Sequence, residues 1–151
     1  SNIMSAIKDN EIRLKMIEDV KKYTEGKLEA ELIDKTIKEI TSLGIEGYQA
    51  TVSYVGKFIK QSFNIVLEDH HEVFRGESWG VSSIGVGASE GWIWTDNLAK
   101  LFSDTTHFKF VGNSFALGIT FQNADLFPLG AFTGLGISLV TGVGSGPGNW
   151  S

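Results

Sequence analysis

A serine in the middle of the chain lies in a pattern that some hydrolases use for catalysis. Gly76-Glu77-Ser78-Trp79-Gly80 matches G-x-S-x-G, which places a nucleophilic serine on a sharp turn between a strand and a helix. Asp96 and His107 follow in the order of a serine–acid–histidine triad. However, the residues after Gly80 lack the pattern of a helix, and three residue types in this order arise easily by chance. The sequence therefore predicts no catalytic residue.

A second cluster has the residue types of a metal site. Glu68-Asp69-His70-His71-Glu72 carries carboxylate and imidazole groups side by side, and His107 is the only other histidine. Neighbouring residues of a strand point to opposite faces, so at most two or three of these groups could share one ion. A polar cluster between two strands is more often a solvated turn. We therefore predict no metal site and no cofactor, and the absence of cysteine excludes a thiolate ligand or nucleophile.

The C-terminal stretch Gly142 to Trp150 is rich in glycine, as phosphate-binding loops are. It lacks the Lys-Ser/Thr step of such a loop, and no helix follows to present its N-terminus to an anion. We interpret these residues as strand-end glycines that let the backbone pass close beneath Trp150.

Tryptophans are candidates for an interaction surface. Trp92 and Trp94 lie two residues apart, so they share one face of a strand. Such a pair is either part of the core or an exposed patch for lipid or a partner, and the sequence leaves both open. With Trp150, they form the candidate interaction surface predicted from the sequence.

The overall charge limits the partners. The chain has 151 residues, with 13 Lys and Arg against 18 Asp and Glu, and a net charge of -5. This excludes the basic footprint of a nucleic-acid-binding protein. The apolar runs are too short for a transmembrane helix, and the first residues do not have the pattern of a signal peptide.

Composition divides the chain in two. Residues 1–46 hold 18 of the 31 charged residues and only one of the aromatic residues, whereas residues 47–151 hold 16 of the 18 glycines. The first part predicts an amphipathic helical arm, because apolar residues recur at three- and four-residue steps and Gly44 is a good helix stop. We expect this arm to pack on the rest of the protein or to form a homo-oligomer. The apolar stripe includes Leu28, Leu32, Ile33, Ile37, Ile40 and Leu43.

The second part, residues 47–151, predicts a mainly β domain. Short β-prone runs separated by glycines indicate a sandwich or a small closed barrel of about eight strands with a filled interior. One short helix is predicted over residues 95–102. The predicted strands are residues 51–59, 62–67, 71–75, 78–86, 90–95, 106–110, 115–121, 126–132 and 136–143.

Several motifs of this domain resemble the virulence-associated protein (Vap) family described in a pathogenic rhodococcus. They are Phe74-Arg75-Gly76-Glu77-Ser78-Trp79-Gly80, Gly85-Val86-Gly87-Ala88, Thr95-Asp96-Asn97-Leu98 and, most specifically, Val140 to Trp150. The resemblance covers residues 47–151. The predicted helical arm differs from the family pattern, because members of that family carry a signal peptide and a variable N-terminal stretch.

The resemblance implies an eight-stranded antiparallel barrel with one short helix near residues 96–102. It also implies a secreted or surface protein without enzymatic activity that acts on a host membrane or host protein. A small-ligand binding barrel of the lipocalin type is the alternative. The family offers no catalytic residues, and six glycines are expected to be structural, at tight barrel corners that a Cβ would block. They are Gly76, Gly80, Gly142, Gly144, Gly146 and Gly148.

Overall fold

The computed structural model describes residues 46–113, 116–135 and 140–151. The predicted arm lies outside these ranges, except for Glu46. The strands are β1 (Glu46–Gly56), β2 (Lys60–Leu67), β3 (Val73–Ser82), β4 (Gly85–Thr95), β5 (His107–Gly112), β6 (Ala116–Gln122), β7 (Pro128–Leu135) and β8 (Gly142–Trp150), and helix α1 (Leu98–Asp104) lies between β4 and β5.

The eight strands form a closed barrel in the order β1-β2-β3-β8-β5-β6-β7-β4, and every neighbouring pair is antiparallel. The order 4-1-2-3 is a Greek key, and 8-5-6-7 repeats it in the second half of the domain. The two keys join where β3 pairs with β8 and β4 pairs with β7. The predicted eight-stranded antiparallel barrel with one short helix is confirmed.

Some strand boundaries differ from the prediction. The three short strands expected between residues 71 and 95 are two long ones, β3 and β4, joined by Ser83 and Ile84. Glycines lie inside these strands because neighbouring strands pass too close for a side chain. A Cβ on Gly80, for example, would collide with the carbonyl oxygen of Val143 on β8. At such a position glycine is a packing requirement, although in isolation it weakens a strand.

The glycine-rich C-terminal stretch is itself a strand. Of the strand predicted over residues 136–143, residues 136–139 lie outside the described ranges and residues 140 and 141 are not in a strand. The last strand, β8, runs instead from Gly142 to Trp150 and lies between β3 and β5. Its alternation is hidden in the sequence because Gly144, Gly146 and Gly148 occupy successive positions on one face, where other strands carry large side chains.

Phenylalanines fill the barrel interior opposite these glycines. A Cβ on Gly76 would lie 2.5 Å from the ring of Phe108, and a Cβ on Gly148 would collide with the ring of Phe74. The rings of Phe74 and Phe108 contact edge to face, with centroids 5.2 Å apart. The interior phenylalanines, all at most 1% exposed, are Phe63, Phe74, Phe108, Phe110, Phe121 and Phe132.

Helix α1 closes one end of the barrel. It begins later than predicted because Thr95 still belongs to β4 and donates its hydroxyl to the carbonyl oxygen of Leu129 at 2.8 Å. The side chain of Asn97 caps the helix by accepting the N–H of Lys100 at 3.0 Å. Leu101 is fully buried in the main core.

Candidate interaction surface

The G-x-S-x-G serine lies inside the barrel. Ser78 is fully buried and donates its hydroxyl to Oε1 of Gln61 at 2.8 Å, and Nε2 of Gln61 donates to Oγ of Ser82 at 3.0 Å. On β5, Phe108 points into the barrel, so its neighbour His107 points outward, away from Ser78. Asp96 lies beyond the end of β4 and is exposed. The structure therefore does not bring the three residues of a triad together.

The cluster of metal-ligand types is the connection between β2 and β3. The His70 ring hydrogen-bonds through Nδ1 to the carbonyl oxygen of Glu68 at 2.9 Å and contacts the rings of Tyr48 and Phe102 edge to face. Among the residues that the structure describes, no three His, Asp or Glu side chains are grouped closely enough to hold a metal ion. His70 thus packs this connection against β1 and α1.

The three tryptophans predicted as a surface do not form one. Trp150 points into the barrel, is 7% exposed and packs against Phe102 and Phe121 with centroids 5.2 and 5.5 Å away. Its assignment to a surface was wrong, because it continues the inward-facing row of β8. Trp92 and Trp94 do share the outer face of β4, but Trp94 is only 1% exposed and forms a small cluster with Trp92 outside the main core.

The exposed apolar surface lies elsewhere, at the end of the barrel opposite α1. We call it the apolar end. It surrounds the β1–β2 and β3–β4 turns and the adjoining strand ends. Its side chains, each between 38% and 78% exposed, are Val55, Phe58, Ile59, Trp79, Val81, Ile84, Val86, Val111 and Val143.

Strand pairing makes the apolar end continuous. Val143 on β8 is paired with Val81 on β3 and with Val111 on β5, which gives a row of three valines across neighbouring strands. On the other side, Val55 is paired with Val86. The β1–β2 turn connects the two groups, because the N–H groups of Gly80 and Ser82 donate to the carbonyl oxygens of Ile59 and Phe58 at 3.2 and 2.9 Å.

The backbone of Phe58 is held in an unfavourable conformation. Its φ of 69° lies in the left-handed region, which costs an L-residue with a bulky side chain roughly 1–2 kcal/mol. Phe58 is nevertheless 56% exposed, so burial of its side chain compensates for this cost only in part. Leu126, at the opposite end of the barrel, has a similar φ of 64° and is 58% exposed, so this conformation is not confined to the apolar end.

Charge is distributed unevenly along the barrel axis. Two lysines accompany the apolar end: Lys57 lies in the β1–β2 turn, and Lys60 lies with its Nζ 5.9 Å from the centre of the Trp79 ring and 3.4 Å from a carboxylate oxygen of Glu77. Acidic residues gather at the opposite end, beside α1. They are Glu46, Glu68, Asp69, Glu72, Asp96, Asp104 and Asp125.

The apolar end was missed from the sequence, although a signal for it existed. In β5, Phe108 and Phe110 set the inward phase, and Val111 is an apolar residue out of that phase. Val81 and Val143 likewise lie at outward positions near strand ends. Only the strand order shows that these single residues meet.

In the described ranges, no helix is both long enough and apolar enough to cross a membrane.

Comparison with known proteins identifies similar chains. A model of the family described as Rhodococcus equi virulence-associated protein matches residues 4–151, a range that includes most of the segment before β1. Virulence-associated protein VapB from the intracellular pathogen R. equi is 28% identical, with a TM-score of 0.66 over 70% of this chain and 96% of its own. VapD from the same organism is 29% identical, with a TM-score of 0.66 over 70% and 97%. No functionally curated protein matches significantly.

Proposed function

Because the chain belongs to the Rhodococcus equi virulence-associated protein family, we propose that it is a virulence-associated protein that acts without catalysis, by placing its apolar end on a lipid bilayer. The apolar end is the observation that carries this proposal. Soluble proteins rarely expose contiguous apolar patches of this kind unless the patch has an interaction to make. A protein that acts on a host membrane must leave the cell that makes it, so we also propose that it is secreted or displayed on the cell surface.

The shape and charge of the apolar end favour a bilayer over a protein partner. Its side chains surround one end of the barrel and point in several directions. A partner that contacts all of them must deform around this end, as a fluid bilayer does. Lys57 and Lys60 lie beside the patch, and Lys60 is paired with Glu77. The seven acidic residues named above lie at the far end, where Lys100 of α1 is a nearby base. Anionic headgroups therefore attract the apolar end and repel the opposite one, which orients the barrel on the membrane.

The filled interior weighs against the alternative, a small-ligand binding barrel. Positions that would line a ligand cavity are occupied by phenylalanine rings at most 1% exposed. The absence of catalysis in the proposal is supported by Ser78, whose hydroxyl is buried and already hydrogen-bonded to Gln61.

Vesicle flotation of the full chain tests the membrane contact. The vesicles contain phosphatidylcholine with or without about 30% phosphatidylserine, an amount that gives the surface a clear negative potential. The test variant is Ile84→Asp with Val86→Asp, which places two carboxylates at positions that are both 78% exposed. The matched control is Phe127→Asp, which changes a side chain 64% exposed at the opposite end.

We expect the unmodified chain and the control to bind anionic vesicles, and the double variant to bind at least tenfold more weakly. A factor of ten corresponds to about 1.4 kcal/mol, less than the apolar contact of two such side chains provides. The substituted positions are exposed, so the barrel itself should be unaffected. Equal binding by the control and the double variant would contradict the proposal, as would no binding by the unmodified chain.

A further inference from the structure

A second surface of the barrel is uncharged, and it lies on the wall instead of the end. It is formed by the outward-facing residues of β4, β6 and β7, and we call it the small-residue face. Strand pairing arranges these residues in rows: Trp94 pairs with Ala131, which pairs with Thr120, and Trp92 pairs with Thr133, which pairs with Gly118. The face consists of Trp92, Trp94, Ala116, Gly118, Thr120, Ala131, Thr133 and Leu135.

Trp94 lies flat across this face. Its six-membered ring lies over Gly47 of β1, where a Cβ would be 2.5 Å from Cζ3, and its indole N–H donates to Oγ1 of Thr133 on β7 at 2.9 Å. An indole that spans the outer wall in this way turns one face away from the barrel. Trp94 is nevertheless only 1% exposed. Trp92 lies beside it on the same face, with ring centroids 6.2 Å apart, and covers only part of the ring. Burial of an outward-facing ring to this degree therefore requires further cover from outside the wall.

We infer that the cover is the N-terminal segment of the same chain, with the apolar stripe of residues 28–43 packed along the small-residue face. Glu46 begins β1 and is paired with Thr95, and Gly47 is paired with Trp94. Only residues 44 and 45 separate Leu43 from this point. Three residue steps span at most about 11 Å, so the stripe ends beside Trp94.

The dimensions and charges of the two surfaces agree. A helix of residues 28–43 is about 24 Å long at 1.5 Å per residue, and a strand of the length of β7 is about 26 Å long. The small-residue face carries no charged side chain that the helix would bury, and Glu90 and Lys109 border it. Alanine, glycine and threonine also let a helix approach closely.

The absence of cysteine makes a labelling test possible, because an introduced thiol is the only one in the chain. Thr120→Cys places a thiol of similar size on the half-buried small-residue face, and its rate of reaction with a maleimide reports cover. The test background is Ile33→Asn with Ile40→Asn, in the stripe. The matched background is Asp34→Asn with Lys38→Asn, on the opposite side of the predicted helix.

Two further thiols serve as references. Val66→Cys lies on β2, two strands away from β4 and outside the small-residue face, at a position 49% exposed, and should react at one rate in every background. Ala50→Cys lies inside the barrel at a position 2% exposed, and should stay protected unless the barrel unfolds.

We expect Thr120→Cys to react slowly in the otherwise unmodified chain and in the matched background, and at least tenfold faster in the stripe background, with Ala50→Cys protected throughout. Fast reaction in the otherwise unmodified chain would overturn the inference. So would protection that is lost on dilution, because the cover would then be a second copy of the chain. Equal rates in the stripe and matched backgrounds would also contradict it. The result is independent of vesicle binding, since the apolar end is unchanged.

Discussion

Replacing Gln61 by leucine tests whether the buried polar cluster at the apolar end stabilises the barrel. Gln61, Ser78 and Ser82 face inward between β2 and β3, and the first two are fully buried. Oε1 of Gln61 accepts the Ser78 hydroxyl at 2.8 Å, and Nε2 donates to Ser82 at 3.0 Å. The Ser82 hydroxyl in turn donates to the carbonyl oxygen of Ser83 at 3.0 Å. Every side chain of the cluster is thus hydrogen-bonded.

The expected loss of stability follows from these contacts. Leucine at position 61 leaves the Ser78 hydroxyl buried without its acceptor, which costs about 1–3 kcal/mol, and removes the bond to Ser82, worth about 1 kcal/mol net. The added apolar contact of leucine offsets part of this. We therefore expect Gln61→Leu to lower the free energy of unfolding by about 2–3 kcal/mol, and the melting temperature by about 10 °C for a domain of this size.

A double-mutant cycle separates the cluster from ordinary repacking. Urea denaturation is measured for Gln61→Leu, Ser78→Ala and the two combined. The combined variant has no orphaned hydroxyl, so it should be about 2 kcal/mol more stable than the sum of the single changes predicts. Asn64→Leu, at an exposed position of the same strand, is the control and should change stability by no more than about 0.5 kcal/mol. Additive single changes, or a Gln61→Leu variant as stable as the parent, would refute the reasoning.

Two further predictions concern the interior. Gly148→Ala should lower the free energy of unfolding, measured in urea, by about 1–3 kcal/mol, because the added Cβ meets the rigid ring of Phe74. The control, Asn149→Ala, changes an exposed side chain and should be neutral. A Gly148→Ala variant more stable than the parent would show that the ring can move. Burial raises the pKa of the Tyr54 hydroxyl above 10, so this group favours the folded state below pH 10 and its contribution is lost as the pH rises further. Absorbance titration at alkaline pH should therefore show one tyrosine ionising late, and Tyr54→Phe should remove that step; a normal titration for all tyrosines would contradict the burial.

The architecture could be predicted where both faces of a strand carry side chains. The alternation of Phe108 and Phe110, and the apolar residues at odd positions from 117 to 121, point to half-buried strands. That signal fails in β8, where the inward-facing residues before Trp150 are glycines. The glycines of β8 leave space inside the barrel, and phenylalanine rings from other strands fill it. A single strand cannot reveal this, since the filling residues lie far away in the sequence.

The candidate site was less accessible than the fold. Trp92 and Trp94 were correctly assigned to one face of a strand, but their burial depends on what lies over that face. The apolar end consists of single residues from different strands, such as Val81, Val111 and Val143, which only the barrel order brings together. An isolated outward-facing valine is unremarkable in any one strand. Its significance depends on pairing across long sequence separations.

The interlocked order of the strands has a consequence for how the protein is made. β8 lies between β3 and β5, so the barrel cannot close until the last of its strands has been synthesised. Contacts between such distant segments form slowly, typically in milliseconds to seconds. Until then the nascent chain has no closed barrel, and an unfolded chain is the form that a narrow translocation channel can thread. The late position of β8 thus suits the secretion proposed above, because the barrel cannot close before synthesis is complete.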